Sequence, residues 1–442
     1  MFKRPFTAYT YSYPHKTAYR ALKPALPLAD VWKDEDVESL YLYLHIPFCE
    51  FRCGFCNLFT HAQPDKDLPT QYLAALRRQA ETVRDSIPTG KFAQMAIGGG
   101  TPTYLNNDEL AELFEIVVEV MGANPNSIPV SFEASPATID LEKLQLLKQF
   151  GVDRLSMGVQ SFNHREAHAI GRPEKPDQVR RALEALGQTN FETLNIDLIY
   201  GGENQTLEQW MNSVDEAISY RPEEIFLYPL YVRQLTGLDK VGHLTELSES
   251  QQQTWDDQRL EAYRAARDRL AEMGYEQKSL RMFRRADHVS AEDTIYRCQS
   301  DGMIGLGSGA RSYTRDLHYS SEYAVNSKAV LGIIHDYIGR DKDQFGCADY
   351  GFRLNAEDQR RRYAILSLLP IEGLSRTDYL NEFGTDILTD LPELADLPAH
   401  GLAVIDDQRI VLTPRGIEMS DAIGPWLYSQ TVNERMESYE CR

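Results

Sequence analysis

Between Leu40 and Leu230, short apolar runs alternate six times with stretches of helical period. The runs Leu40–His45, Phe92–Ile97, Pro129–Glu133, Arg154–Val159, Thr193–Ile199 and Glu224–Leu230 have the length and composition of strands. Between them, Gln71–Ile87, Asp108–Met121, Ile139–Phe150, Asp177–Leu186 and Leu207–Tyr220 space their apolar residues as helices with one buried face do. Strands alternating with helices form βαβ units, and those form a parallel sheet. An eight-unit barrel takes about 250 residues, so six units need roughly 190. The pattern therefore predicts an α/β fold with six parallel strands and its chemistry at their C-terminal ends.

Beyond the sixth run the rhythm changes. A polar, helix-rich stretch, Leu244–Met273, leads into GYEQKSLRMFRRA and then YRCQSDGMIGLGSGARSY. The last segment has helical patterns at Gln359–Leu369 and Arg376–Phe383, followed by strand candidates Leu402–Ile405 and Arg409–Leu412. The expected organisation is an N-terminal arm at 1–39, the α/β core at 40–240, a C-terminal α+β extension at 241–355 and a small winged-helix-like domain at 356–442. The arm carries Tyr9, Tyr11, Tyr13 and Tyr19 among polar groups. It either hugs the surface or folds over the site, where His15, Lys16 and Arg20 offer donors to an acidic substrate.

At 442 residues the chain exceeds what one core sustains, which supports several domains. Its formal net charge of −20 argues against nucleic acid or an anionic membrane as a general partner. The winged-helix-like segment carries 16 acidic against 8 basic residues, the wrong sign for a DNA reader. No apolar run approaches the roughly 20 residues of a membrane span. Six cysteines, three of them clustered, are no secreted disulfide framework and point to the reducing cytoplasm.

The clustered cysteines carry the chemistry. Cys49, Cys53 and Cys56 stand as Cys-x-x-x-Cys-x-x-Cys directly after the first strand. Structural zinc wants four ligands, and four cysteines normally complete a [4Fe–4S] cluster. Three thiolates leave one iron open to a substrate or cofactor. One βα unit later comes GGGTPTYL, Gly98 to Leu105, whose glycines permit close backbone approach. It lacks the Gly-Lys-Ser/Thr of a P-loop. The GLGSGARS run, Gly305 to Ser312, has no βαβ frame, which argues against NAD.

The run HIPFCEFRCGFC resembles the radical S-adenosylmethionine (SAM) superfamily, in the branch of oxygen-independent coproporphyrinogen III oxidase and its relatives. The resemblance implies a partial (β/α)6 barrel with a [4Fe–4S] cluster on Cys49, Cys53 and Cys56. It also implies one or two SAM molecules and a reductant such as flavodoxin or ferredoxin. SAM would be cleaved to a 5′-deoxyadenosyl radical, chemistry belonging to the cofactor. By the same resemblance Gly99, Gly100 and Thr101 receive the methionine part of SAM. Further cofactor positions are Glu133 in SFEASP, Gln160 in RLSMGVQSF, Arg172 in AIGRPE and Asp197 in NIDLIYGG, with Tyr43, Phe55 and Arg311 beside them. His45 is expected as a satisfied strand-end histidine, and Cys298, Cys347 and Cys441 as structural. No residue declares itself a general base.

The resemblance leaves the substrate open among aromatic, heteroaromatic and tetrapyrrole molecules. The oxidase usually carries a further cysteine where this chain has Leu58. The string CNLFT and the arm YSYPHKTAYR look more like the class C radical SAM methylases and cyclopropanases, which implies methyl or methylene transfer to an sp2 carbon. Oxidative decarboxylation of coproporphyrinogen III and a haem-chaperone role are the alternatives.

Overall fold

The computed structural model describes residues 2–10, 12–173, 175–242, 244–290 and 296–441; Tyr11 of the arm lies outside them. In chain order the main strands are β1 (Arg20–Pro27), β2 (Leu40–Ile46), β3 (Phe92–Gly99), β4 (Val130–Ala134), β5 (Arg154–Gln160), β6 (Thr193–Tyr200) and β7 (Glu224–Pro229). There follow β8 (Tyr275–Gln277), β9 (Met282–Arg285), β10 (Met303–Leu306), β11 (Arg311–Tyr313), β12 (Leu317–Ser320) and β13 (Cys347–Arg353). Among the described residues they form one sheet in the order β1-β13-β12-β11-β10-β2-β3-β4-β5-β6-β7-β9-β8.

Strands β2 to β7 are parallel neighbours in chain order, as the alternating pattern requires. Helices Leu68–Ser86, Asn107–Glu115, Leu141–Gln149, Pro176–Leu186 and Leu207–Ser219 make the crossovers. Their starts are written locally: Asn106 with Glu109, and Thr206 with Gln209, form reciprocal capping boxes. The third-strand helix continues into a π-helical turn at Ile116–Val120, so its apolar pattern runs beyond its α-helical part. The barrel stays open. β2 pairs with β10 on its outer side and β7 with β9, so the first and sixth parallel strands never meet.

Alternation sorts the side chains of β2. Leu40, Leu42, Leu44 and Ile46 are fully buried beneath the helices. Tyr41 and Tyr43 are half-buried on the opposite, concave face. In the floor of that face Arg154 and Arg284 both bind Glu224, at 2.8 and 3.0 Å, and Glu224 is fully buried.

Segment 241–355 is not a separate layer. Its strands extend the sheet at both edges, and β10 runs parallel to β2 as an additional parallel neighbour. The arm is equally tied in. β1 pairs antiparallel with β13, and Tyr13 and Tyr19 are fully buried. The Tyr13 hydroxyl donates to Asp358 at 2.6 Å. The C-terminal segment holds helices Ala356–Leu368 and Arg376–Phe383 with a small antiparallel sheet, Leu374–Ser375, Arg409–Leu412 and Ala403–Ile405. No helix among the described residues is long and apolar enough to cross a membrane.

Candidate functional site

The loop after β2 presents Cys49, Cys53 and Cys56, each beside a polar group. The Thr101 hydroxyl lies 3.6 Å from Cys49 Sγ, and Arg172 donates to Cys53 Sγ at 3.5 Å. Thr60 Oγ1 is 3.9 Å from Cys56 Sγ. Burial pushes the Cys49 thiol up to about 12, opposed by Thr101, and both other thiols act on it electrostatically. A buried thiol becomes a thiolate only with a compensating cation, which iron supplies. Among the described residues no three His, Cys, Asp or Glu side chains converge on a single-ion site. Three thiols spread over one loop, with N–H and O–H groups on their sulfurs, suit a cluster whose irons each take one thiolate. The donor set fits.

The glycine turn is pressed against this loop. Gly99 has φ +116°, and a Cβ there would lie 2.5 Å from the His45 ring. A Cβ on Gly100 would lie 2.6 Å from the Phe48 carbonyl oxygen and 3.0 Å from Cys49 Sγ. Gly99 N–H donates to Glu133 Oε2 at 2.9 Å. The Gly100 and Thr101 amides donate to Ile46 and Phe48 carbonyls at 2.8 and 2.7 Å. The glycines are thus demanded by the protein's own packing as well as by any ligand, and the three amides are engaged inside the chain.

Around the mouth the strand ends bring most of the expected polar residues together. Burial raises the Glu133 carboxyl, with the Gly99 bond opposing it. Asp197 is pushed up to about 7 by burial, opposed by Asn195, whose amide donates to it at 2.8 Å. Gln160 closes β5 with φ +68° and is buried. Arg172, also buried, donates to the Gly158 carbonyl as well as to Cys53, joining the end of β5 to the cysteine loop. Phe55 stands apart: it packs on Ile170, Ile199 and Leu230, a small apolar cluster behind the loop. His45 is satisfied at both ring nitrogens, 3.2 Å from the Tyr43 hydroxyl and 2.9 Å from the Phe59 carbonyl. Burial lowers it to about 4, so it is neutral.

Beside this mouth lies a cavity of about 450 Å³, reached by Tyr43, Gly99, Glu133 and Arg311. Its floor is a row across four strands, Tyr41, Met303, Tyr313 and His318, paired in register. Lys16 from the arm and Arg362 from the Ala356–Leu368 helix also line it, with Arg311. Arg311 donates to Ser12 at 2.8 Å, so the arm folds over the site; Arg20 instead reaches the Arg435 carbonyl and Ser438. Cys298, expected to be structural, is exposed on the cavity wall. Lys16 was anticipated as a donor of the arm, whereas His318 and Arg362 carried no sequence signal. Arg362 sits in an ordinary amphipathic helix, and only the fold turns it inward.

Residues 43–217 match the model of the Radical SAM superfamily. That segment is a radical SAM domain. A [4Fe–4S] cluster and SAM are the cofactors that come with such a domain. The chain is 29% identical over 407 residues to an oxygen-independent coproporphyrinogen III oxidase of Pseudomonas aeruginosa, covering 85% of this chain and 83% of that one. The Escherichia coli oxidase is 27% identical over 445 residues, covering 92% and 91%. The heme chaperone HemW of Bacillus subtilis is 28% identical over 386 residues, covering 85% and 95%. The solved structure of the Escherichia coli oxidase HemN, described as a radical SAM enzyme, superposes with a TM-score of 0.76 at 23% identity, over 99% and 100% of the chains, and shows the shared fold.

These likenesses correct one expectation. The class C methyl-transfer reading drawn from CNLFT and the arm finds no support in these relatives. The oxidase and haem alternatives are better matched.

Proposed function

We propose that this protein oxidatively decarboxylates propionate side chains of a coproporphyrinogen-like tetrapyrrole without oxygen. The observation that carries this is the cavity beside the cysteine loop: tyrosine-walled and lined by Lys16, Arg311 and Arg362 in a chain of net charge −20. Such a wall suits an aromatic molecule bearing carboxylates. The relatives named as oxidases, alike over most of their length, support the same chemistry.

In this reading Cys49, Cys53 and Cys56 hold the cluster. Glu133, Gln160, Arg172 and Asp197 orient SAM from the strand ends, with Gly99 to Thr101 beneath it and Tyr43 at its edge. Cluster and SAM, when bound, supply the 5′-deoxyadenosyl radical. The chain's own task is to place a propionate β-carbon against it and keep water out. A hydrogen atom, carbon dioxide and one electron then leave the propionate, giving a vinyl group and requiring a one-electron acceptor. Anaerobic incubation with coproporphyrinogen III tests the proposal; product lacking any loss of carbon dioxide overturns it.

A second reading, haem binding and delivery, is favoured by the 95% coverage of the Bacillus HemW chain. It is also favoured by Leu58 standing where the oxidase usually has cysteine. Haem titration separates the two, since delivery without turnover requires a stable Soret shift.

A further inference from the structure

We propose that His318 is the axial ligand for the iron of a haem seated in the cavity beside the cysteine loop. This rests on the second reading above, haem binding and delivery, and adds which side chain holds the metal.

Two buried histidines line the cavity, and they differ in what they touch. His45 has a partner at each ring nitrogen, the Tyr43 hydroxyl and the Phe59 carbonyl. His318 is fully buried, and among the described residues neither of its ring nitrogens has a hydrogen-bond partner. Among the described buried side chains it alone leaves two such atoms. Buried polar groups are normally paired, and a ring left with neither nitrogen satisfied marks a place where something is to bind. The strands hold the ring in position. His318 lies on β12 opposite Tyr313 of β11 and Phe352 of β13, with its ring centroid 4.2 Å from that of Tyr313. The same row carries Tyr41 and Met303, so the imidazole ends an otherwise aromatic and apolar floor.

Charge and ligand number select the kind of metal. Burial first, then Arg362 and Arg311, hold His318 well below the usual histidine range, so the ring is neutral and has a lone pair to give. The same two arginines oppose a bare divalent cation, and no three His, Cys, Asp or Glu side chains among the described residues converge to hold one. A haem escapes both objections. Its macrocycle supplies four nitrogens and offsets the charge of the iron, leaving an axial position for which one imidazole suffices. The cavity, about 450 Å³, falls within the range of small-molecule sites. The ring nitrogen left over has no acceptor among the described residues, and an imidazole without that outer support is a weaker donor to iron. A weak axial bond suits a molecule that is to be handed on.

The test loads the reconstituted full-length protein with ferric haem or with metal-free protoporphyrin IX. Affinity is read by fluorescence quenching, and the iron–histidine stretch by resonance Raman after reduction. Wild type is expected to show that stretch. His318→Ala should lose it and bind haem about tenfold more weakly, as metal sites do when a supporting group is removed. Protoporphyrin IX should bind both proteins equally, and added imidazole should restore the stretch to His318→Ala. Haem bound by His318→Ala with unaltered affinity and stretch overturns the inference and leaves the haem reading standing. Equal weakening of protoporphyrin IX also overturns it, since the ring would then serve the shape of the cavity. No haem binding by wild type that still cleaves SAM overturns both. Should His318→Ala melt lower than wild type, His318→Phe, which keeps a ring in that place, decides by the same readouts.

Discussion

Gly99 N–H donates to Glu133 Oε2 at 2.9 Å, tying the glycine turn behind the cysteine loop to the end of β4. This one bond links two loops that the sequence separates by a whole βα unit. It also holds the Glu133 carboxyl across the mouth and opposes, without cancelling, the upward push that burial gives that group. Cluster loop, glycine turn and strand-end carboxylates are therefore one mechanical unit, and a change in any of them is felt by the others.

Gly100 tests that unity. A Cβ there meets the Phe48 carbonyl at 2.6 Å, and backbone cannot step aside as a flexible side chain can. Gly100→Ala should cost about 1–3 kcal/mol, as overpacking does, and lower iron retention after anaerobic reconstitution. Thermal melts and iron counts read this. Wild-type values for both would show that the turn and the cysteine loop are not coupled.

Asp197 gives a pH signature. Its carboxyl is raised from the ordinary aspartate range to about 7, chiefly by burial. Between about pH 4 and 7 the folded protein therefore keeps a proton that the unfolded chain has released. Stability contributed by this group falls as pH rises through that window, and the loss is complete above it. Asp197→Asn should gain on wild type across the same window, reaching roughly 2 kcal/mol at pH 8 after allowance for solvent at the carboxylate. The variant should bind SAM more weakly with its cluster intact. A difference in melting temperature that does not vary with pH would contradict the assignment.

The buried Arg154–Glu224–Arg284 arrangement makes a stability prediction away from the chemistry. Glu224 is fully buried between two arginines that are nearly so. Removing it leaves two charges without their shared partner, at a cost of about 3–5 kcal/mol. Urea unfolding of Glu224→Ala should show that loss, with Glu224→Gln in between. A change under about 1 kcal/mol would mean the floor tolerates the exposed cations.

The six parallel strands were legible in the chain to within two residues, because each is a long apolar run bounded by caps and turns. β10 was not. Met303–Leu306 is a four-residue strand with a glycine inside it, and only its pairing with Tyr41 to Leu44 makes it a strand. β1 was hidden by Pro24 and by its exposed, alternating face, which belong to an edge strand. The cysteine cluster was legible from its spacing, whereas the polar residues of the mouth were named through the family resemblance and their places at strand ends. The cavity was not legible, since Lys16, Arg362 and His318 come together only through the two sheet extensions and the docked arm. Phe55, expected near the cofactor through its backbone, turns its ring into the apolar cluster of Ile170, Ile199 and Leu230, a packing that its place between two ligands did not announce.

The most direct measurement is an anaerobic incubation of reconstituted protein with SAM, dithionite and coproporphyrinogen III, followed by mass spectrometry. 5′-Deoxyadenosine, methionine, S-adenosylhomocysteine and carbon dioxide would be quantified together. The account predicts 5′-deoxyadenosine and carbon dioxide in step, with a vinyl product and no S-adenosylhomocysteine; Cys53→Ala should abolish all of them. S-adenosylhomocysteine with no carbon dioxide, or retained iron and 5′-deoxyadenosine in Cys53→Ala, would contradict it.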